Sequence, residues 1–304
     1  MILVVHGKAF ELSSCDGETV TKEEVYMLRS NQEETDSRVI LYADYGAKKA
    51  YKSIKVRSPD SDVFFILLHH APKLNANVYF DTGKGNSRRI FDISKMSETI
   101  GQKQCSSLLA LHAFTGCDST SAFRGIGKVK PIKVLEKKKE FEDPLVVLGE
   151  SWNVVDSTLH ELKEFTCTIY GHPRFKSLDL LRLHLLKKKC MQTNEIDPNK
   201  SVDLATLPPC TATLKQHIKR TNFQLKIWKD ALEPFQELPS AEHHGWKMED
   251  GCLEPNWCET SILPEELELL LDDYCADEDD DLEIVFDSDY SETSDEEFND
   301  VLIQ

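Results

Sequence analysis

The chain has 304 residues, enough for one large domain or two small ones, and its 40% hydrophobic content is sufficient to bury a core. The formal net charge of −17 is unevenly spread: 22 of the 53 acids lie in residues 248–304, which hold no Lys or Arg, leaving 31 acids against 36 basic side chains before them. A mildly basic body can approach a phosphate backbone and the acidic tail cannot; no run approaches the roughly 18 apolar residues of a membrane span, so no membrane partner is expected.

The first element is a short buried-strand pattern, Ile2–Val5, ending at Gly7. A helix is expected over 31–50, with Val39, Ile40, Ala43 and Ala47 near one face, followed by a strand at Ile54–Val56. Val63–Leu68 is an apolar run whose periodicity fits a strand or a helix. Val78–Phe80 and Ile90–Ile93 flank Gly83-Lys84-Gly85-Asn86 and predict a β-hairpin. Helices are expected over 95–113 and from Gly125-Ile126-Gly127 to about Lys139. Strands alternating with helices indicate an α/β domain with a parallel sheet. From about 144 the pattern is helical, over 156–170, 177–190 and 211–232. The tail from Pro264 is acid-rich and reads as disordered.

Nine scattered cysteines, an odd number with no CxxC pair, together with a start too short for a signal peptide, predict a reduced, intracellular protein. His243, His244, Cys252 and Cys258 are zinc-ligand types, but at irregular spacing. Asp81-Thr82-Gly83 reads as a turn rather than a protease motif, and His69, His70 and His112 as packing or surface residues. Trp228, Trp246 and Trp257 are expected in the core of the helical region.

Three segments deliver carboxylates where a site can use them. Glu34-Thr35-Asp36 opens a helix, Asp60 and Asp62 follow a strand, and Asp118 lies between an apolar helix and a Gly-rich turn. Each has a plain alternative: helix capping, a polar turn and an N-cap respectively. Clustered, five acids repel one another, and divalent cations with hard oxygen ligands relieve that repulsion. Arg124, Lys128, Lys130, Lys133, Lys137, Lys138 and Lys139 form a basic run interrupted only by Glu136. With Gly125 and Gly127, whose turn opens a helix, Arg124, Lys128, Lys130 and Lys133 are candidate phosphate contacts; Arg57, Lys84, Arg88 and Arg89 can extend the patch. The alternative is a solvated basic helix face.

The order Glu34-x-Asp36, Asp60-x-Asp62, Gly116-Cys117-Asp118, Gly125-Ile126-Gly127-Lys128 resembles the second half of flap endonucleases and related PIN-like nucleases. A nearer resemblance is to a group of transposon-derived animal proteins, carried by "SNQEETDSR", "VRSPDSDVF", "HAFTGCDSTSAF", "LGESW", "LPPCTATLKQHIKRTNFQLKIW" and "HGWKMEDGCLEPNW", over roughly residues 3–260. The resemblance implies a partial PIN-like domain over 1–143, a helical region over 144–263 and the tail over 264–304. It implies that Glu34, Asp36, Asp60, Asp62 and Asp118 hold two Mg²⁺ or Mn²⁺ ions, and that DNA or RNA is cut hydrolytically, in the nucleus. Such nucleases carry further acids upstream of the first pair, so the chain is expected to be N-terminally shortened. The alternative is a non-catalytic nucleic-acid or protein-interaction module derived from a mobile element, with the tail as a protein-docking segment. The oligomeric state stays open.

Overall fold

A computed structural model of the chain describes residues 2–5, 8–14, 19–192, 195–196 and 202–258. The acidic tail expected over 264–304 lies outside these residues. The chain divides into two units, Met1–Leu109 with Leu225–Pro239 and Ala110–Gln224 with Ser240–Gln304. Residues 110–143, which the resemblance groups with the nuclease-like part, fall in the second unit. The fold is mixed α/β.

The first unit opens with an antiparallel meander of β1 (Ile2–Val5), β2 (Lys8–Ser13) and β3 (Thr21–Glu24). The apolar start forms the expected strand, but Ile2 and Val4 are each 39% exposed. As the edge strand of a small ribbon it keeps one side uncovered. α1 (Thr35–Lys48) then buries Ile40, Leu41, Ala43 and Ala47 along one stripe, as the helical spacing requires. A second sheet follows, of β4 (Ser53–Arg57), β5 (Asn77–Thr82) and β6 (Arg89–Asp92). β4 and β5 are parallel, with Arg57 opposite Asp81; β5 and β6 form the expected hairpin, antiparallel, with Thr82 opposite Arg89. The sheet is therefore mixed rather than parallel throughout.

α2 (Ser61–His70) makes the crossover from β4 to β5 and settles the ambiguous apolar run as a helix. Val63, Phe64, Phe65, Ile66, Leu67 and Leu68 are all buried, so no polar face exists to give the run a period. Phe64 anchors this core, its ring edge-on to Phe65, Phe80 and Phe91 at 5.1, 5.5 and 5.7 Å. The helix expected over 95–113 is two: α3 (Ile93–Ile100) and α4 (Gln102–Phe114). Gly101, at φ +88°, separates them in a conformation open to glycine and costly for other residues. The later segment 225–239 is stitched to residues just before α1. Asn31 and Gln236 exchange two hydrogen bonds of 2.8 and 2.9 Å, and Gln32 Nε2 donates to the Ala231 and Glu233 carbonyls. Trp228 is buried, but in this first unit rather than in the core of the helical region where it was expected.

The second unit starts at the end of α4 and holds α5 (Val129–Lys137), α6 (Glu142–Val147), α7 (Asp156–Ile169) and α8 (Leu178–Cys190). A minimal ribbon of β7 (Met191–Gln192) and β8 (Glu195–Ile196) precedes α9 (Thr211–Lys229), most of which belongs to this unit. Phe114, Phe123, Phe141 and Phe165 form its aromatic core. The helical reading from 144 holds as far as α9 apart from the β7–β8 ribbon. Beyond it lies an antiparallel hairpin of β9 (Trp246–Glu249) and β10 (Cys252–Pro255). On this ribbon Trp246 is half-buried and Trp257 is 56% exposed, so neither is the core residue expected; a two-stranded hairpin has only one face to bury. Among the described residues no helix is long and apolar enough to cross a membrane.

Candidate functional site

In the first unit, β4 sets the position of four of the five acids. α1 reaches β4 through a short turn in which the Tyr51 N–H donates to the Gly46 carbonyl, and Gly46 lies against Ile54 of β4. α1 therefore runs back along β4, and its first turn points toward the carboxyl end of that strand. α2 begins four residues after β4 ends. Both helices thus start at the same sheet edge, Glu34 and Asp36 on α1, Asp60 and Asp62 on α2. Ligand sites in open α/β sheets gather at this edge.

The acids there also have local work. Asp60 is the N-cap of α2, and its Oδ1 accepts from the Asp62 N–H at 2.9 Å. Asp62 stands in the first turn and is only 5% exposed. Glu34 occupies the N-cap position of α1 without capping it by its side chain; its Oε2 accepts from Trp228 Nε1 at 3.3 Å. Asp36 lies in the first turn of α1, half-buried. Asp60 thus caps α2, Asp36 stands at the positive end of the α1 dipole, and Glu34 is held by Trp228.

A fifth acid shares the edge. Asp81, at the end of β5, is buried and takes Arg88 in a two-pronged ion pair, Nε to Oδ1 at 2.8 Å and Nη2 to Oδ2 at 2.6 Å. The guanidinium holds its carboxyl below the usual range. Asp81 and Thr82 finish the strand and Gly83, at φ +74°, starts the turn. The pair pins the base of the hairpin loop, and Arg88 is occupied by it.

In the second unit Asp118 is exposed at the tip of a four-residue turn. Cys117 and Thr120 close the turn with reciprocal backbone hydrogen bonds of 3.3 and 3.2 Å. It is not an N-cap, since the next helix, α5, begins only at Val129. The turn leaves α4 through Gly116 at φ +118°, where a Cβ would meet Ala122 at 2.9 Å. The last carbonyls of α4 are met by side chains from elsewhere. Lys128 Nζ donates to His112 O at 3.1 Å and Gly116 O at 2.5 Å, Thr120 Oγ1 to Ala113 O at 2.6 Å, and His217 Nε2 to Phe114 O at 2.8 Å. A cation at a helix C-terminus also meets the negative end of its dipole.

The basic run is therefore not uniform. Lys128 is built into the end of α4. Arg124 is exposed and pairs with Asp203 at 3.0 Å. Lys130 and Lys133 are half-buried on α5, and burial lowers the Lys130 ammonium from its usual range. Gly125, at φ +75°, has open space where a Cβ would be, and Gly127 is exposed.

The chain matches no protein-family model, no curated protein and no solved structure. The site must be judged on its own chemistry. Among the described residues no three His, Cys, Asp or Glu side chains form a metal-holding group, and this includes His243, His244, Cys252 and Cys258. The acids of the first unit come in pairs, Glu34 with Asp36 and Asp60 with Asp62. Mg²⁺ commonly takes one or two carboxylates and keeps several waters, so oxygen donors offered in pairs suit it better than Zn²⁺, which wants four closed ligands. Sequence reasoning missed Arg88 as the partner of Asp81 and His217 as a support of α4. The His217 contact joins residues 103 apart and has no local signal, whereas Arg88 faces Asp81 across the hairpin that the sequence itself predicts.

Proposed function

We propose that the chain is a metal-dependent nuclease-like protein of the flap-endonuclease (PIN-like) type, from the transposon-derived group it resembles. Glu34, Asp36, Asp60 and Asp62 are its candidate ligands in the first unit, for Mg²⁺ or Mn²⁺; the resemblance alone adds Asp118 and a second ion. The observation that supports this reading most is topological: α1 and α2 both begin at the carboxyl end of β4 and both carry acid pairs there. When bound, such ions supply an activated water and steady the leaving oxygen of a phosphodiester. The chain's own residues orient the acids, Asp60 through its cap on α2 and Glu34 through Trp228. The substrate is DNA or RNA, met by Arg124, Gly125, Gly127, Lys130 and Lys133, with Lys128 supporting that segment from beneath; the place of action is the nucleus.

Two measurements test this. Mn²⁺ or Mg²⁺ is expected to raise the melting temperature of the full chain by mass action on the folded state, and Asp60→Asn with Asp118→Asn to abolish the rise. Labelled single-stranded and branched DNA and RNA, incubated with the chain and Mn²⁺, are expected to be cut by the parent and left intact by Asp60→Asn. A metal response without cleavage favours the second reading, a non-catalytic nucleic-acid module. That reading draws on the absence of a three-ligand group among the described residues. No metal response in the parent removes the ligand role altogether.

A further inference from the structure

The mixed sheet of the first unit packs its helices on one face. Gly46 of α1 lies against Ile54, and Phe64 of α2 meets Phe80 and Phe91. Side chains alternate along a strand, so the opposite face carries Lys55 and Arg57 of β4, Tyr79 and Asp81 of β5, and Ile90 and Asp92 of β6. The register sets Lys55, Tyr79 and Asp92 in one row and Arg57, Asp81 and Ile90 in the next. Lys55, Arg57 and Ile90 are exposed and Tyr79 is half-buried. An aromatic ring thus stands on the central strand of an open face, with cations on one flank and an apolar side chain near the other.

The charges of this face do not cancel. Arg88 takes both oxygens of Asp81, and Asp92 caps α3, its Oδ1 accepting from the Lys95 N–H at 3.0 Å. Among the described residues Lys55 and Arg57 have no carboxylate of their own; both only add to the field of Arg88 on Asp81. They stand two residues apart on an edge strand, about 7 Å along it. A partner that suits this face carries repeated negative charges with flat apolar groups between them. An acidic peptide offers the charges without the flat groups, and a duplex keeps its bases stacked inside. A single strand offers phosphates to cations and an unstacked base to a ring. We infer that this open face binds single-stranded DNA or RNA, with a base stacked on Tyr79 and neighbouring phosphates held by Lys55 and Arg57. The surface is additional to the α5 segment named above and needs no metal ion.

The test uses the full chain in EDTA, so that neither an ion nor cleavage enters it. The probes are fluorescent oligothymidylate and oligouridylate of about ten nucleotides, and a duplex of the same length. Fluorescence anisotropy reads the affinity. Tyr79→Ala is expected to weaken binding of both single strands roughly five- to hundredfold, and Tyr79→Phe to bind like the parent, with duplex binding the same in all three. Lys55→Ser with Arg57→Ser is expected to weaken single-strand binding and to flatten the slope of log affinity against log salt by about 1.4, the share of two phosphates. Ultraviolet crosslinking of oligouridylate to the parent, read by mass spectrometry, is expected to mark Tyr79. Single-strand binding by Tyr79→Ala at the parent's affinity overturns the inference, as does an equal loss for the duplex. Tyr79→Phe binding as weakly as Tyr79→Ala removes the stacking, and an unchanged salt slope removes the phosphate contacts; either result overturns it. Displacement of the oligonucleotide by polyglutamate at equal charge concentration makes the face a general anion surface and overturns it too. If circular dichroism shows Tyr79→Ala unfolded, the crosslink decides: an adduct on Tyr79 supports the inference, and its absence overturns it. None of these results depends on metal binding or cleavage, so the metal-dependent reading stands or falls separately.

Discussion

Acid should weaken the first unit through His70. The ring is fully buried and its Nε2 lies 2.8 Å from the Trp228 carbonyl, an acceptor only, so Nε2 carries the proton. Nδ1 is buried with no partner among the described residues, so a second proton would be placed where nothing accepts it. Burial lowers the ring from 6.5 to about 4, against a smaller opposing effect of the Trp228 hydrogen bond, and lowers the adjacent His69 to about 2. A base with a depressed folded pKa leaves the unfolded chain as the better proton binder. Stability is then intact above about 6.5, falls as pH drops below it, and levels off below the folded pKa. For His70 the full loss is ~3 kcal/mol, and about 2 kcal/mol of it is reached at pH 5. His69 adds a similar amount at pH 5, so the pair removes ~4 kcal/mol from a domain whose total is commonly about 5–15 kcal/mol. Urea denaturation at pH 7.5 and pH 5.0 measures this directly. In His70→Gln, which keeps a donor for Trp228 and cannot titrate, the difference between the two pH values is expected to shrink by about 2 kcal/mol. Equal pH dependence in the variant and the parent would refute the reasoning.

Gly116→Ala should destabilise the second unit by about 1–3 kcal/mol or more, from the strained φ and the clash with Ala122, and thermal melting at neutral pH checks it. Lys128→Met should cost about 1.5–3 kcal/mol, because two carbonyls lose a charged donor. If Lys128 served only to grip phosphate, the same variant would weaken nucleic-acid binding and leave the melt unchanged. Deleting residues 264–304 should strengthen binding of the chain to DNA and steepen its salt dependence, since the tail is acidic and the body basic. Fluorescence anisotropy at two salt concentrations reads this, and equal binding with and without the tail removes the idea of self-shielding.

Much of the layout is legible in local pattern. α1, β4, the β5–β6 hairpin, α7, α8 and α9 follow from helical or alternating spacing and from turn residues. α2 does not, because a helix buried all round carries no period. The split between α3 and α4 was written at Gly101, yet an isolated glycine in a helical pattern is often tolerated. The β9–β10 hairpin had a readable signal in Asp250-Gly251. Both residues adopt positive φ, 49° and 79°, the conformation that Asp-Gly favours in a two-residue hairpin turn. The acids of the candidate site are legible as types and places along the chain. What fixes them is not: Trp228 stands 194 residues from Glu34 and Gln224 stands 105 from Ser119. The role of Lys128 was hidden for the same reason, since a lysine after Gly-x-Gly looks the same whether it faces phosphate or a helix end. α9 ties together three separate stretches of the second unit, around Asp118, Trp152 and Trp246.

The late position of α9 and of the segment after it bears on how the protein is made. The residues before α1 find their partners in residues 231–236, and the turn at Asp118, the loop at Gly149 and the end of α4 find theirs in residues 217–224. During synthesis, therefore, neither unit holds its native loops until residues 217–236 have left the ribosome. Until then α2 and the apolar stripe of α5 depend on incomplete surroundings. Contacts so distant in sequence slow folding and lengthen the exposure of apolar surface. A nascent chain halted before residue 211 should be a client of chaperones, and one released after residue 258, once Gly245 and Asn256 can meet Arg220, should not.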